Sequence, residues 1–447
     1  MRFGEMPEDA GGFMTLLLER ISRTELDALD QRTHPAGRPA HVLSRGQLLA
    51  ALLFHYTVTW TGSFGEHLFC LMGIKMAEST LSQRRQAVPF EVFAELLSRL
   101  LRPIANRAQE FYRGLRLVAV DGVSFSLPNT EGIKKSCRKG GNQHGRASFA
   151  KLQCAVLLEV AFHNPLAAGI GRTGESEWKL AQGLLGSVPE NALLLGDRLY
   201  GRAAFAASLF KNFQGRGSHF LLRVKEGTKA RPVTRLKDGS QIVEIQALEP
   251  GDTHRIAATV QVREIRAAIT RRGFRTVRMR LWTSLRDPAK APAAELVSLY
   301  AARWEQELYF RELKRELHIN DLLRSQTLET AAQEVASMII GSSLIAHERA
   351  KLKSGEVPQH RLSLIKVWET LEPLWLTLLL GADLLTENQK QTLSARFYGL
   401  ASKRCMAKKR RRSCPRVMRQ PDQQFPRKKN EQGSTAPLKI KIVSRFG

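Results

Sequence analysis

The chain has 447 residues, of which 43% are hydrophobic and 25% charged; this is ordinary globular usage and excludes wholesale disorder. The length exceeds one compact core and implies two or three domains of about 100–200 residues each. Lysine and arginine number 69 against 42 acids, a formal net charge of +27, which makes a polyanion the natural partner because every neutralised phosphate releases condensed counterions. A generic basic protein, such as a ribosome-associated one, has the same balance.

The N-terminus, MRFGEMPEDAGGFMTLLLER, places acids before a short apolar run, which does not suit a signal peptide. Residues 1–114 read as a helical domain for DNA binding or dimerisation: LSRGQLLAALLFHYTV and PFEVFAELLSRLLRPIANRA carry apolar residues at helical spacing. Between them STLSQRRQAV, opened by Ser79, reads as a short polar helix. Ser82, Gln83, Arg84 and Gln86 are types that grip phosphates or read base edges, as in the second helix of a helix-turn-helix. A plain solvated helix face gives the same pattern and is the more frequent origin.

The texture changes at Leu115. RLVAVDGVSFSLP reads as two strands with Asp121 directly after the first, and KLQCAVLLEVAF as another. ESEWKLAQGLLGSV is helical, ALLLGDRLYG is a buried strand ending at Asp197, GRAAFAASLF is a helix and HFLLRVKEG a strand. This alternation implies an α/β layer with a mixed sheet over 115–227. Residues 228–290 read as an inserted β subdomain, with strands in QIVEIQAL, HRIAATVQVREI and TVRMRLWTSL. Residues 291–400 return to helix. The segment 401–447 contains KKRRR and RKK and reads as a disordered basic tail that strengthens non-specific DNA binding; a solvated tail without a role is the alternative. Gln47–Tyr56 and Leu374–Leu380 are too short to cross a bilayer, so a soluble protein without a membrane partner is expected. Cys70, Cys137, Cys154, Cys405 and Cys414 show no C-x-x-C spacing, so neither a disulfide framework nor a zinc site is read, and a reducing cytosol fits.

The strongest local signal is YAARWEQELYFRELKRELHI, in which Tyr300, Arg303, Glu307 and Lys314 stand at Y-x2-R-x3-E-x6-K. On a continuous α-helix at about 100° per residue these four share one narrow face. Glu305, Glu312 and Glu316 fall on the far side, and Leu299, Ala302, Phe310, Leu313 and Leu317 form an adjoining apolar stripe. A lone carboxylate among cations and a phenol suits phosphate chemistry. An amphipathic helix with ordinary Glu307–Arg303 or Glu307–Arg311 pairs fits equally well. Asp121 and Asp197, each read at the end of a buried strand, face the usual ligand edge of an α/β sheet. Either alone reads best as a cap of the following turn; together with Glu307 they supply an oxygen-only set suited to two divalent ions, Mg²⁺ or Mn²⁺ rather than zinc.

The YAARWEQELYFRELK segment resembles the YREK signature of DDE transposases of bacterial insertion sequences, in the insertion sequence four family. Asp121-Gly122 and Asp197-Arg198-Leu199-Tyr200 resemble that family's two aspartate motifs, and the β insertion, LWTSLRDP and the Arg303-Trp304 pair are similar too. The similarity covers Leu115 to Ala350. Leu199 departs from the pattern, which more often has a small residue there. The resemblance implies a ribonuclease H-like core with a β insertion, a metal-binding triad of Asp121, Asp197 and Glu307, and phosphate contacts from Tyr300, Arg303 and Lys314. Trp304 is read as core. The implied partners are double-stranded DNA, as transposon ends and target, and a second copy of the chain in the active complex; the implied place is the bacterial cytoplasm, at the nucleoid. A decayed or repurposed transposase that only binds DNA, and a related nuclease that cuts without joining, are the alternatives.

Overall fold

The structure is a computed structural model and describes residues 13–31, 42–59, 61–106, 108–142, 145–172, 174–249, 251–252, 254–270, 276–316, 322–352, 361–381, 383–405 and 439–443. Six helices come first: α1 (Phe13–Leu18), α2 (Arg23–Gln31), α3 (Arg45–His55), α4 (Phe64–Met72), α5 (Glu78–Gln86) and α6 (Phe90–Leu100). The short strand β1 (Phe111–Tyr112) and the long strand β2 (Leu115–Ser126) follow, then α7 (Glu131–Ser136), β3 (Gly141–Asn142), β4 (Gly145–Arg146), β5 (Lys151–Glu159) and β6 (Asn164–Gly171). Next are α8 (Glu177–Gly183), β7 (Ala192–Gly196), α9 (Ala203–Phe213) and β8 (His219–Arg223). Four strands, β9 (Arg231–Arg235), β10 (Gln241–Leu248), β11 (Ile256–Thr270) and β12 (Val277–Thr283), lead to α10 (Ala293–Leu299). A 3-10 turn at Tyr300–Arg303, α11 (Trp304–Arg311), a π turn at Glu312–Glu316, α12 (Leu328–Lys351), α13 (Leu364–Leu380), α14 (Glu387–Ala401) and β13 (Lys439–Ile442) complete this mixed α/β chain.

The chain divides into two compact units. The first holds Met1–Phe111, Val120–Val188 and Glu305–Cys405; the second holds Tyr112–Ala119, Pro189–Trp304 and Met406–Gly447. The division falls inside β2.

The first unit is built around α12. This helix is buried on nearly all sides, so its polar side chains need partners within the protein. Gln333 donates to the Arg85 and Val88 carbonyls, Glu334 accepts from the Arg324 and Ser325 amides, and Ser343 donates to Asn164. Around it the ends of the other helices are fixed locally. Ser44 with Gln47 and Ser63 with Glu66 form capping boxes at the starts of α3 and α4, each satisfying amides the first turn leaves open. The polar helix α5 begins at Glu78, one residue earlier than Ser79, and its arginines are engaged inside this unit. Arg84 donates to the Leu43 carbonyl and Arg85 to Ser325 and the Thr330 carbonyl. The strands run in the order β6, β5, β2, and β5 and β6 pair antiparallel from Gln153–Gly171 to Glu159–Asn164.

In the second unit the order is β2, β7, β8, β12, β11, β10, β9. Strands β7 and β8 are parallel, with Leu193 opposite His219; β8–β12, β12–β11, β11–β10 and β10–β9 are antiparallel. The strands of 228–290 therefore extend the same sheet as β8. Two buried guanidinium groups tie them down. Arg263 pairs with Asp238 and donates to Ser240 Oγ and the Ala291 carbonyl at 2.8 and 2.6 Å. Arg280 pairs with Glu264, which also accepts from Trp282 Nε1 at 2.9 Å. Of the tail read as disordered, residues 406–438 lie outside the described residues, but Lys439–Ile442 is a strand paired with Ala267–Thr270 of β11. The alternation of lysine with isoleucine in KIKI suits a half-exposed edge position. Among the described residues no helix is long and apolar enough to cross a membrane.

Two histidines of the first unit are held neutral. Burial first, then neighbouring cations and His67, push His55 down to about 3; burial, with Arg20 and Lys351 nearby, does the same to His347. A histidine depressed in the fold binds its proton more tightly in the unfolded chain. Its contribution to stability is therefore full above the unfolded value near 6.5 and falls as pH drops from there towards 3. At pH 5 each ring costs about 2 kcal/mol relative to pH 8. Denaturant unfolding of H347Q is expected to show a shallower loss of stability between pH 7 and 5 than the parent chain; an identical acid limb would exclude His347 as a source.

Candidate active site

Strand β7 is buried at all five positions and ends at Gly196, so Asp197 emerges at its C-terminal end, half-exposed. Its Oδ1 accepts from the Leu199 amide at 2.7 Å, and its carbonyl accepts from the Gly201 amide at 3.2 Å. The turn between them is tight. A Cβ on Gly201 would lie 1.9 Å from the Arg223 carbonyl oxygen, so the backbone approaches the end of β8 more closely than any side chain allows. Tyr200 is fully buried beneath the turn, and Leu199 is half-buried.

Tyr300 stands over the same strand end. It is 4% exposed, and its hydroxyl donates to the Gly196 carbonyl at 3.2 Å. Burial pushes its phenol up to about 12, with Arg303, Arg223 and Asp197 as its charged neighbours. Arg223, at the C-terminal end of β8, is lowered by burial and then by Arg198 and Arg303. One carboxylate and three guanidinium groups thus gather at the shared end of two parallel strands. Arg223 went unread in the sequence, although its place as last residue of a strand parallel to β7 marks it.

In the first unit Asp121 lies within β2, not at the end of a strand: what reads as two strands is one, because the glycine after Asp121 continues the extended backbone. Asp121 Oδ1 accepts from the Gly122 amide at 2.9 Å. A Cβ on Gly122 would meet the Glu177 carboxyl carbon at 2.1 Å, so Glu177, also unread in the sequence, packs against the residue beside Asp121. Alternation along β2 puts Asp121, Val123 and Phe125 on one face. Val123 and Phe125 are buried in one core cluster with Tyr309, Phe310 and Leu313. Asp121 therefore faces the side covered by α11, which carries the half-buried Glu307. Lys314 sits on the same face, its ammonium 5.5 Å from the Phe125 ring centre.

The segment from Tyr300 to Lys314 is not one regular helix. It passes from 3-10 to α to π geometry, so constant 100° steps misplace its side chains. Trp304, read as core, is 53% exposed. Glu305 and Glu312, read on the far side of the helix from Glu307, hold a buried histidine. His163 is fully buried at φ 50°, with Nδ1 2.7 Å from Glu312 and Nε2 3.1 Å from Glu305. Arg349, also fully buried, donates to the Phe162 and Leu362 carbonyls and sets its charge beside both glutamates. Burial opposes the imidazolium, but the two carboxylates outweigh it and raise His163 above the ordinary histidine range. His163 and Arg349 together balance two carboxylates, and α11 is held at both ends.

Asp121 and Glu307 belong to the first unit, Asp197 to the second. Among the described residues no three His, Cys, Asp or Glu side chains are gathered closely enough to hold a metal ion. The donor chemistry of the three carboxylates, all oxygen and all partly open to solvent, fits a hard divalent cation.

Residues 112–342, more than half of the chain, match the family model described as Transposase DDE domain, and the chain belongs to that family. The matched range contains Asp121, Asp197, Glu307, Tyr300, Arg303 and Lys314. Two proteins of Escherichia coli (strain K12) are similar. Transposase InsG for insertion sequence element IS4 is 24% identical over 287 residues, 62% of this chain and 62% of that protein. Putative transposase InsZ is 27% identical over 154 residues, 33% of this chain and 50% of that protein. The chain thus spans less than two thirds of either relative. A solved piggyBac transposase synaptic complex with hairpin DNA aligns over 89% of this chain and 87% of its own, at 10% identity and a TM-score of 0.41, too slight a likeness to carry weight.

Replacing His163 would leave Glu305 and Glu312 without the cation that bonds them both, with Arg349 still nearby. H163A is expected to lose about 3–5 kcal/mol of stability, the usual cost of breaking a buried ion pair, read by denaturant unfolding; a loss no larger than that of an exposed histidine would remove the clamp from the structure's supports.

Proposed function

We propose that this chain is a DNA transposase that cleaves the ends of an insertion sequence and joins the freed 3′-OH to target DNA. The observation that carries this reading is the family match over the whole span from Asp121 to Glu307. The cationic setting of Asp197 among Arg198, Arg223 and Arg303 supports it. The core would be ribonuclease H-like. Asp121, Asp197 and Glu307 would hold Mg²⁺, with Mn²⁺ able to substitute; bound there, the metal supplies charge that eases deprotonation of the attacking oxygen and departure of the 3′ oxygen.

The protein's own groups do the rest. Arg303, with Arg198 and Arg223 beside it, and Lys314 neutralise phosphates flanking the scissile bond. Tyr300, its hydroxyl donated to the Gly196 carbonyl, fixes the strand end from which Asp197 emerges. His163 and Arg349 hold α11 so that Glu307 keeps its place without needing a ligand. No covalent protein–DNA intermediate is required, so no serine or tyrosine nucleophile is assigned. Two ends must be brought together, so the active complex contains at least two copies of the chain.

The test is cleavage of the element's own end sequence with Mg²⁺ or Mn²⁺. The parent chain is expected to nick it, and D121A, D197A and E307A to bind the end but not cut. Cutting by any of the three removes that residue from the site, and tight binding without cutting by the parent chain favours a DNA-binding protein derived from a transposase. R303A and K314A are each expected to weaken end binding and lower its logarithmic salt slope by about 1; a slope equal to the parent's would end their assignment to phosphate.

A further inference from the structure

Strand β11 pairs with β10 only as far as Glu264, so its continuation lacks that neighbour. Strand β13 takes the place. Lys439, Lys441 and the two isoleucines pair antiparallel with β11, Ile442 opposite Ala267 and Ile440 opposite Ile269, and the Val443 amide donates to the Arg266 carbonyl at 3.0 Å. Residues opposite each other in such a ladder share a face. Ile440 and Ile442 therefore lie on the face of β11 that also carries Arg263 and Ile265. Both isoleucines are half-buried, while Lys439 and Lys441 are exposed.

The strand packs against α10 and against the turn between β9 and β10. A Cβ on Gly239 of that turn would stand 3.2 Å from Ile442 Cγ2, and Gly239 has φ +84°. Glycine serves there twice, for the left-handed backbone and for the room that Ile442 takes. Beside it Asp238 pairs with Arg263 and accepts from the Ala293 amide at 2.9 Å. Ala293 opens α10, and Pro292 before it gives no side-chain cap. Asp238 thus supplies from a distance the acceptor and negative charge that a helix start requires. Helix α10 has seven residues and runs directly into Tyr300 and the 3-10 turn that carries Arg303. So short a helix does not hold its own path. It buries Ala293, Leu296 and Val297 and packs on β11 and β13. Its other charged tie, from Glu295 to Arg113 and Tyr112, is exposed and adds little.

We propose that β13 is a positioning strand for the candidate site: Ile440 and Ile442 hold the Asp238–Ser240 turn and α10, and through α10 they set Tyr300 and Arg303. A strand that only covered an open edge would serve with many half-polar sequences. Here Ile442 is fitted to the glycine turn whose aspartate caps α10, and the far end of α10 places the Tyr300 hydroxyl on the Gly196 carbonyl. The assignment rests on the reading of Tyr300 and Arg303 as site residues of a transposase. The hold of β13 on residues 293–303 can be measured without cutting DNA, so the two readings fail separately.

The experiment is hydrogen exchange read by mass spectrometry on the full chain, with the parent beside I440S/I442S, K441P and I440V/I442V. The Val443 amide points at β11, and the period of two along a strand points the Lys441 amide the same way. Proline at 441 therefore removes a rung even if the serines leave the strand docked. In whichever variant releases β13, residues 293–303 are expected to exchange roughly tenfold faster, while β7 and α12 keep their parent rates. I440V/I442V should match the parent. Release of β13 with 293–303 at the parent rate overturns the proposal, because the strand would then only cover an edge. Equal acceleration of β7, α10 and α12 overturns it too, since the change would be one of overall stability. Where the parent chain cuts its element end, the released variant should cut roughly tenfold more slowly, and cutting at the parent rate with α10 loosened would end the positioning role. A parent chain that does not cut would count against the proposed activity, and the exchange rates would still decide whether β13 holds α10.

Discussion

A histidine with no access to water holds two carboxylates that stand seven residues apart, and the segment between them carries Glu307. His163 is reached by Glu305 from one end of α11 and by Glu312 from just beyond the other, with Arg349 supplying the second positive charge. Such a cluster is costly to desolvate and stabilises the fold only when every member is present. Its effect is on placement. A segment that changes from 3-10 to α to π geometry within seventeen residues has weak internal reasons to keep one path, and the buried charges supply an external one. The consequence for Glu307 is that its backbone is set before any ligand arrives, which is the condition for a carboxylate to act at low reorganisation cost.

The second unit uses the same device with the signs exchanged. There the buried anion is Glu264, and Arg280, Arg266 and Trp282 converge on it. Both clusters fix segments that carry charge, α11 with Glu307 in one case and the 225–229 turn with its lysines in the other. Apolar packing alone would hold strands and helices together. It would not choose among nearby registers as sharply as hydrogen-bonded charges do.

Much of this was legible in the residues. The buried runs LVAV and ALLLG marked strands, the Y-x2-R-x3-E-x6-K spacing marked the key segment, and the matched range of 112–342 agrees closely with the similarity read from Leu115 to Ala350. What escaped the sequence did so for identifiable reasons. An apolar run followed by an alternating one reads as two strands at Asp121-Gly122, yet they are one, and the glycine there makes room for the Glu177 carboxyl, which belongs to a residue more than fifty positions away. Trp304 reads as core, yet it is 53% exposed. Strand β6, NPLAAGIG, has Ile170 as its one β-branched residue, too few to mark a strand, and is held by its antiparallel partner β5 instead. His163 gave no signal at all, since its partners are distant in the chain and one lone histidine carries no pattern.

The outermost strand of the second unit, β9, has the sequence RPVTR and is exposed at every position. A bare sheet edge of this kind is a template onto which another chain can add a strand, and so a route to aggregation. Pro232 withholds an amide from any such partner, and the arginines at both ends repel a second copy of the same edge. The strand is thus guarded against its own kind by the same residue types that make the surface attractive to polyanions. Where copies of this chain come together, the contact will lie elsewhere than along this edge.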